Sequence, residues 1–130
     1  MSEKAKPELV TLNWIGSSKK DLMSFPGSVT HDIGVALMVA QLGSKAPSAK
    51  VLRGLGPGVL EIVENDDGNT YRAAYTVKFE DRVYVLHCFQ KKSHKGIKTD
   101  KKDIDLIQAR LNLALADYRR RRHGRKRVKP

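Results

Sequence analysis

The sequence predicts a small α+β domain in which helices cover an antiparallel sheet meander. Three observations carry that prediction. Between Val59 and Gln90, apolar runs with a two-residue period are separated by turn signals, Asn65-Asp66-Asp67-Gly68-Asn69 and Glu80-Asp81. Two stretches with helical periodicity flank those runs, one before and one after. The chain of 130 residues is 40% apolar with a single cysteine, so one domain can bury a modest core without a disulfide.

Residues 8–15, ELVTLNWI, read as a first strand ending near Gly16. Ser17 and Ser18 are placed to cap a short helix through Met23, which Phe25-Pro26 stops. A longer helix follows over residues 27–42, where Val29, Ile33, Ala36, Leu37 and Ala40 make one apolar stripe and Gly43 supplies the C-cap. His31 and Asp32 lie off that stripe and read as solvated. Residues 44–57 read as a loop of small, turn-forming residues. Residues 59–64 form a strand that turns through Asp67-Gly68 into the next. There Tyr71, Ala73, Tyr75, Val77 and Phe79 share one face, and Arg72, Ala74, Thr76 and Lys78 the other. Residues 82–90 are apolar on both faces, as a central strand requires. Thr99 can cap the last helix, whose first turn holds Asp100 and Asp103. Ile104, Ile107, Leu111, Ala114, Leu115 and Tyr118 form its apolar stripe. With the first strand joined to the meander, the second sheet face is expected to stay partly open.

The net charge of +11 points to a polyanionic partner, but its distribution is uneven. Residues 119–130, RRRRHGRKRVKP, carry eight Lys or Arg and no acid. The remaining 17 basic and 14 acidic residues leave only +3, so a domain over residues 1–118 and a basic tail over 119–130 are expected. The tail reads as a frayed helix end or an arm that adds sequence-independent, salt-sensitive attraction to nucleic acid, or else as a solubilising tail. No run approaches the roughly 20 apolar residues of a membrane span and the start, MSEKAKPELV, has no apolar leader, so a cytoplasmic protein without a membrane partner is expected.

Within the domain, the informative stretch is residues 71–95. Arg72 stands alone among apolar neighbours in one strand, and the next strand runs into Lys91, Lys92, His94 and Lys95. Cations at that position suit a grip on phosphate, and a buried one is costly unless an anion or partner uses it.

Taken in order, Tyr71-Arg72, Tyr75, Tyr84-Val85-Leu86-His87, Phe89 and Lys91-Lys92-Ser93 resemble phage-derived, HigB-like toxins of the RelE/ParE superfamily. LGPGVLE at residues 55–61, Trp14-Ile15-Gly16-Ser17-Ser18, Asp21-Leu22, Phe25-Pro26 and Ile33-Gly34 extend the resemblance over roughly residues 8–118. It implies a RelE-like fold and the toxin of a type II toxin–antitoxin system. Such a toxin is an endoribonuclease that cleaves mRNA on the ribosome and is silenced by a cognate antitoxin, expected to be a helix-turn-helix protein. The implied chemistry uses no metal or cofactor: the ribose 2′-hydroxyl attacks the adjacent phosphate, and fixed cations stabilise the charge that develops.

On this resemblance Arg72 grips the scissile phosphate, with an ion pair to Glu61 or Glu64 as its competing structural role. Lys91 and Lys92 match paired lysines of the family. Adjacent strand residues point to opposite faces, so one of the two reaches the reacting centre, and parity does not say which. A charged strand terminus that blocks edge pairing is the alternative. His94 is the candidate for proton transfer, and Arg53 and Lys95 are candidates for further substrate contacts. His87 reads as a packed, hydrogen-bonded histidine, Tyr71 and Tyr75 as core, and Cys88 as buried filler. Where RelE-type members carry a C-terminal tyrosine or an Asp-Tyr-His cluster, this chain has a helix and a basic run, which leaves the general base unassigned. A ParE-like toxin acting on DNA gyrase and an RNA-binding accessory protein are the other readings.

Overall fold

The computed structural model describes residues 8–91 and 98–128, with side chains through 124. Its elements are β1 (Thr11–Trp14), α1 (Ser18–Met23), α2 (Gly27–Gln41), β2 (Ala49–Val51), β3 (Val59–Asp66), β4 (Asn69–Phe79), β5 (Arg82–Lys91) and α3 (Lys101–Val128). The five strands lie in the order β1-β5-β4-β3-β2. β2 through β5 form an antiparallel meander, and β1 closes the β5 edge in parallel, Thr11 opposite Arg82 and Trp14 opposite Val85.

Local chemistry fixes most of these elements. The α2 stripe of Val29, Ile33, Ala36, Leu37 and Ala40 is buried throughout. Gly43 ends that helix at φ 91°, donating to Ala40 O while Ser44 donates to Val39 O, the paired bonds of a left-handed C-cap. Asp67 (φ 50°) and Gly68 (φ 80°) both take left-handed conformations, as the two-residue β3–β4 hairpin requires. Gly58 (φ 83°) lies so close to β4 that an added Cβ would stand 3.1 Å from Lys78 Cβ and 3.3 Å from its Cα, so only glycine fits.

Three expectations are corrected. The loop over residues 44–57 contains β2, too short at three residues to show alternation and exposed at Lys50 and Val51 as an edge strand. Phe79 does not share the face of Tyr71 and Tyr75. An irregularity between Thr76 and Phe79 turns it to the opposite face, against Tyr84 and Tyr118. The second sheet face is not left open, because α3 lies on it. In the backbone α3 runs across residue 118 to Val128, so the described part of the basic segment continues that helix.

The sheet therefore separates two apolar layers. On one side Leu22, Val29, Ile33 and Leu37 pack against Tyr71, Ala73, Tyr75, Val83 and Val85. On the other Ile107, Leu111, Ala114 and Tyr118 pack against Val59, Ala74, Phe79, Tyr84 and Leu86. Among the described residues no helix is long and apolar enough to cross a membrane.

Candidate functional site

A β-bulge sets the direction of the cations at the end of β5. Tyr75 pairs with Val85 but Ala74 pairs with His87, so Leu86 is an extra residue in the strand. Before it the even-numbered residues face α3; after it His87, Phe89 and Lys91 do. Unbroken alternation would have turned Lys91 toward α2. The bulge brings it onto the face of Arg72, two ladder positions along, roughly 7–8 Å away by the usual diagonal spacing.

Arg72 sits beneath this end of the sheet, 3% exposed. Its Nη1 donates to Glu61 Oε1 at 3.0 Å and to Thr99 Oγ1 at 3.2 Å. The Thr99 hydroxyl donates in turn to Glu61 Oε2 at 2.6 Å, closing a triangle of arginine, carboxylate and hydroxyl. Glu61 is the diagonal neighbour of Arg72 across β3 and β4 and is fully buried. The charge of Arg72 is thus met within the fold by Glu61, the structural partner that competes with a grip on substrate phosphate. Thr99 spends its hydroxyl on this triangle rather than on a helix cap. The first turn of α3 closes on Asp100, whose carbonyl accepts from Asp103 N and Ile104 N.

Beside the triangle, Lys91 Nζ donates to Lys98 O and to Asp100 Oδ1 at 3.3 Å. His87 faces the first turn of α3, where Nε2 meets Asp103 Oδ1 at 2.8 Å, and its ring stacks on Phe89 with centroids 4.5 Å apart. Its Nδ1 is buried with no hydrogen-bond partner among the described residues. His87 is therefore packed and hydrogen-bonded, as its strand position predicts. Arg53 lies on the exposed loop before β3, beside Val59 and its partner Thr76. Six residues of β4 separate that end from Thr70, opposite Lys91, or about 20 Å, so among the described residues Arg53 is not brought to Lys91. Lys92, His94 and Lys95 lie outside the described residues.

The other candidates behave as structure. Burial pushes the Cys88 thiol up to about 12, far from thiolate reactivity, and the Tyr75 hydroxyl up to about 12. No three His, Cys, Asp or Glu side chains among the described residues form a group that could hold a metal ion. A cavity of about 520 Å³ lies near the end of α2, lined by Val10, Leu42, Tyr75 and Val83 together with Lys45 and Arg82, and neither Arg72 nor Lys91 lines it.

Sequence reasoning placed Glu61 correctly as the alternative partner of Arg72 but missed Thr99 and Asp103 as site neighbours. Both contacts cross between elements, 38 and 16 residues apart, and no local pattern encodes them.

A second polar cluster anchors the far end of α3. The Tyr84 hydroxyl donates to Asp117 Oδ2 at 2.7 Å, and Asp117 also accepts from Arg120 and Arg121, each at 2.7 Å. Burial alone would raise the Asp117 carboxyl, but the bonds from Tyr84 and Arg121 hold it below its ordinary value. The sign follows from linkage. A depressed carboxyl contributes stability above the unfolded pKa of about 3.9 and loses it as pH falls through the lower folded value. Thermal melts through acid pH should show that loss, and Tyr84→Phe, which removes one of the bonds, should shrink it. An identical acid profile in Tyr84→Phe would remove Tyr84 as a cause.

A family model described as Phage derived protein Gp49-like (DUF891) matches residues 20–112. Comparison with curated proteins finds no match. Solved structures similar to this chain include a mutant of E. coli toxin RelE in the free state, 21% identical, with a TM-score of 0.47 over 62% of this chain and 82% of that one. Another is the toxin–antitoxin complex RelBE2 from Mycobacterium tuberculosis, 16% identical, with a TM-score of 0.47 over 65% of this chain and 100% of that one.

Proposed function

Because the chain belongs to the Phage derived protein Gp49-like family, we propose that it is the toxin of a type II toxin–antitoxin system, an endoribonuclease that cleaves mRNA on the ribosome. The observation that carries this reading is Lys91, an ammonium turned by the Leu86 bulge onto the α3 face at the strand exit leading to Lys92, His94 and Lys95. The Arg72–Glu61–Thr99 triangle supports it from below, fixing the strand end and the 98–100 segment on which Lys91 leans.

The reaction such a site serves is attack of a ribose 2′-oxygen on the adjacent phosphorus. The P–O5′ bond breaks, leaving a 2′,3′-cyclic phosphate and a 5′-hydroxyl. One proton leaves the 2′-hydroxyl and one reaches the 5′-oxygen. Lys91 has three N–H donors and meets two acceptors among the described residues, so one donor remains for a phosphate oxygen whose charge grows in the transition state. His94 is the proposed proton-transfer group, with Lys92 and Lys95 adding positive charge. A cognate antitoxin partner is part of the proposal, since an unopposed nuclease of this kind would halt its own host.

Induction of the chain should arrest growth and cut translated mRNA at discrete positions. Lys91→Ala should lower the cleavage rate about 10²–10³-fold, the usual cost of losing one donor to a developing oxyanion. Its thermal midpoint should stay close to that of the parent, because Asp100, its ion-pair partner, is exposed. Wild-type cleavage by Lys91→Ala would remove that residue from the site. Intact mRNA alongside broken DNA on induction would reject the nuclease reading in favour of action on DNA gyrase.

A further inference from the structure

We propose that the basic end of α3, together with Arg82, is a docking surface for the phosphate backbone of double-stranded RNA, separate from the Lys91 site. The last buried residue of α3 among the described side chains is Tyr118, yet the helix continues to Val128, about 15 Å further at 1.5 Å per residue. Arg119 to Arg122 occupy four successive positions, so their side chains leave the axis over most of its circumference. The segment 119–130 adds Arg125, Lys126, Arg127 and Lys129 and contains no acid and no Phe, Tyr or Trp, with His123 as its single imidazole.

Such a helix end is costly on its own. Arg119 with Arg122 is a like-charge pair at three-residue spacing, unfavourable by a few tenths of a kcal/mol, and more basic residues follow in the sequence. A polyanion turns that repulsion into attraction. The root is also preorganised. Asp117, held by the Tyr84 hydroxyl, engages one nitrogen each of Arg120 and Arg121, while Arg122 Nη1 donates to the Tyr118 hydroxyl at 3.2 Å. A guanidinium carries five N–H donors, so these bonds aim each group and leave donors for a ligand.

Arg121 and Arg122 meet Arg82 around a cleft of about 230 Å³ that Asp81 and Tyr118 also line. Three guanidinium groups face one carboxylate there. Glu80 and Asp117 stand nearby, and the three carboxylates do not match the basic charge of this end of the molecule.

The partner's chemistry follows from what the segment lacks. Proteins that hold single strands stack bases on exposed aromatic rings, whereas Phe79, Tyr84 and Tyr118 at this root are all buried and His123 is the single exposed ring among the described residues of the segment. Eight Lys or Arg with a single imidazole read phosphate far more than bases, which suits a duplex with its dense, regular backbone. No apolar stripe continues past Tyr118, so the segment offers neither a protein-core seat nor a face that enters a membrane. The choice of RNA over DNA rests on the nuclease reading above; binding to a duplex does not. About 22 Å of α3 separates Asp103, beside the Lys91 end, from Tyr118, so docking at one end leaves the other free.

The test is fluorescence anisotropy of the full chain with a blunt RNA duplex of about 20 base pairs between 50 and 200 mM salt. Replacing Arg119, Arg120, Arg121 and Arg122 by Ala should lower the slope of log K against log salt by about three to four. The affinity lost across that salt range should then shrink by about 10²-fold. The same four positions changed to Lys should keep most of the slope. Arg119→Glu, which leaves the Asp117 bonds intact, should lower the slope by about one to two and keeps the test readable if the alanine variant unfolds. The arginine variants leave Lys91 untouched and duplex binding is read without cleavage, so this proposal and the nuclease reading fail separately. Unchanged slopes in both the alanine and glutamate variants would overturn the docking surface. Equal affinity for a single strand of the same length would overturn the duplex, and equal affinity for a DNA duplex would overturn RNA as the partner.

Discussion

Arg72→Ala is expected to cost about 3–5 kcal/mol of folding stability, a large part of the 5–15 kcal/mol typical of a domain this size. The reason is the carboxylate left behind. Glu61 is fully buried and would lose its ion-pair partner while keeping only the Thr99 hydroxyl, and an uncompensated buried charge is among the costliest defects a fold can carry. Removing both charges should be different in kind. Glu61→Leu with Arg72→Met replaces the pair by apolar side chains of similar bulk, which is commonly neutral or stabilising by about 1–4 kcal/mol. Urea unfolding of the parent, the single and the double variant checks this. A single variant whose midpoint matches the parent would show that the pair is not buried in solution. The comparison also bears on function, because lost toxicity in Arg72→Ala alone would report unfolding. Toxicity retained in the folded double variant would show that the guanidinium itself is dispensable to the chemistry.

The residues that were legible in the sequence are those whose neighbours lie close along the chain. The α2 stripe, its Gly43 cap, the Asp67-Gly68 hairpin and the apolar stripe of α3 follow from periodicity and turn chemistry, and all are present. What the sequence did not disclose depends on pairing between distant strands. The Leu86 bulge carries no glycine or proline to mark it, yet it decides which face receives His87 and Lys91. Phe79 changes face for the same reason. The pattern did single out Arg72 as a lone cation in an apolar strand, and Glu61 was visible as one of two candidate partners. Depth was not visible. Only the fold shows that pair to be buried, with the Thr99 hydroxyl joined to it.

Ile107→Ala is expected to destabilise the domain by about 2–5 kcal/mol, whereas Leu113→Ala on the same helix should change stability by no more than about 0.5 kcal/mol. Ile107 is fully buried between α3 and the sheet, so its truncation leaves a cavity that the β5 side chains Tyr84 and Leu86, also fully buried, have little freedom to fill. Leu113 is 57% exposed on the outer face, where Ala costs little packing and is the better helix former. The contrast tests whether α3 is a layer of the domain or an appendage. Trp14, the only tryptophan, sits in β1 against the opposite apolar layer and reports on the sheet, while far-UV circular dichroism reports largely on the helices, the longest being α3. If α3 is integral, both signals move to the same lower urea midpoint in Ile107→Ala, because the two layers share β4 and β5 and unfold together. If helix signal is lost first while Trp14 holds its parent midpoint, α3 is a separable unit. In that case Asp117 and Tyr118 could not fix the arginines at its far end, and the closure of the Arg72–Glu61–Thr99 triangle would no longer depend on the helix that follows it.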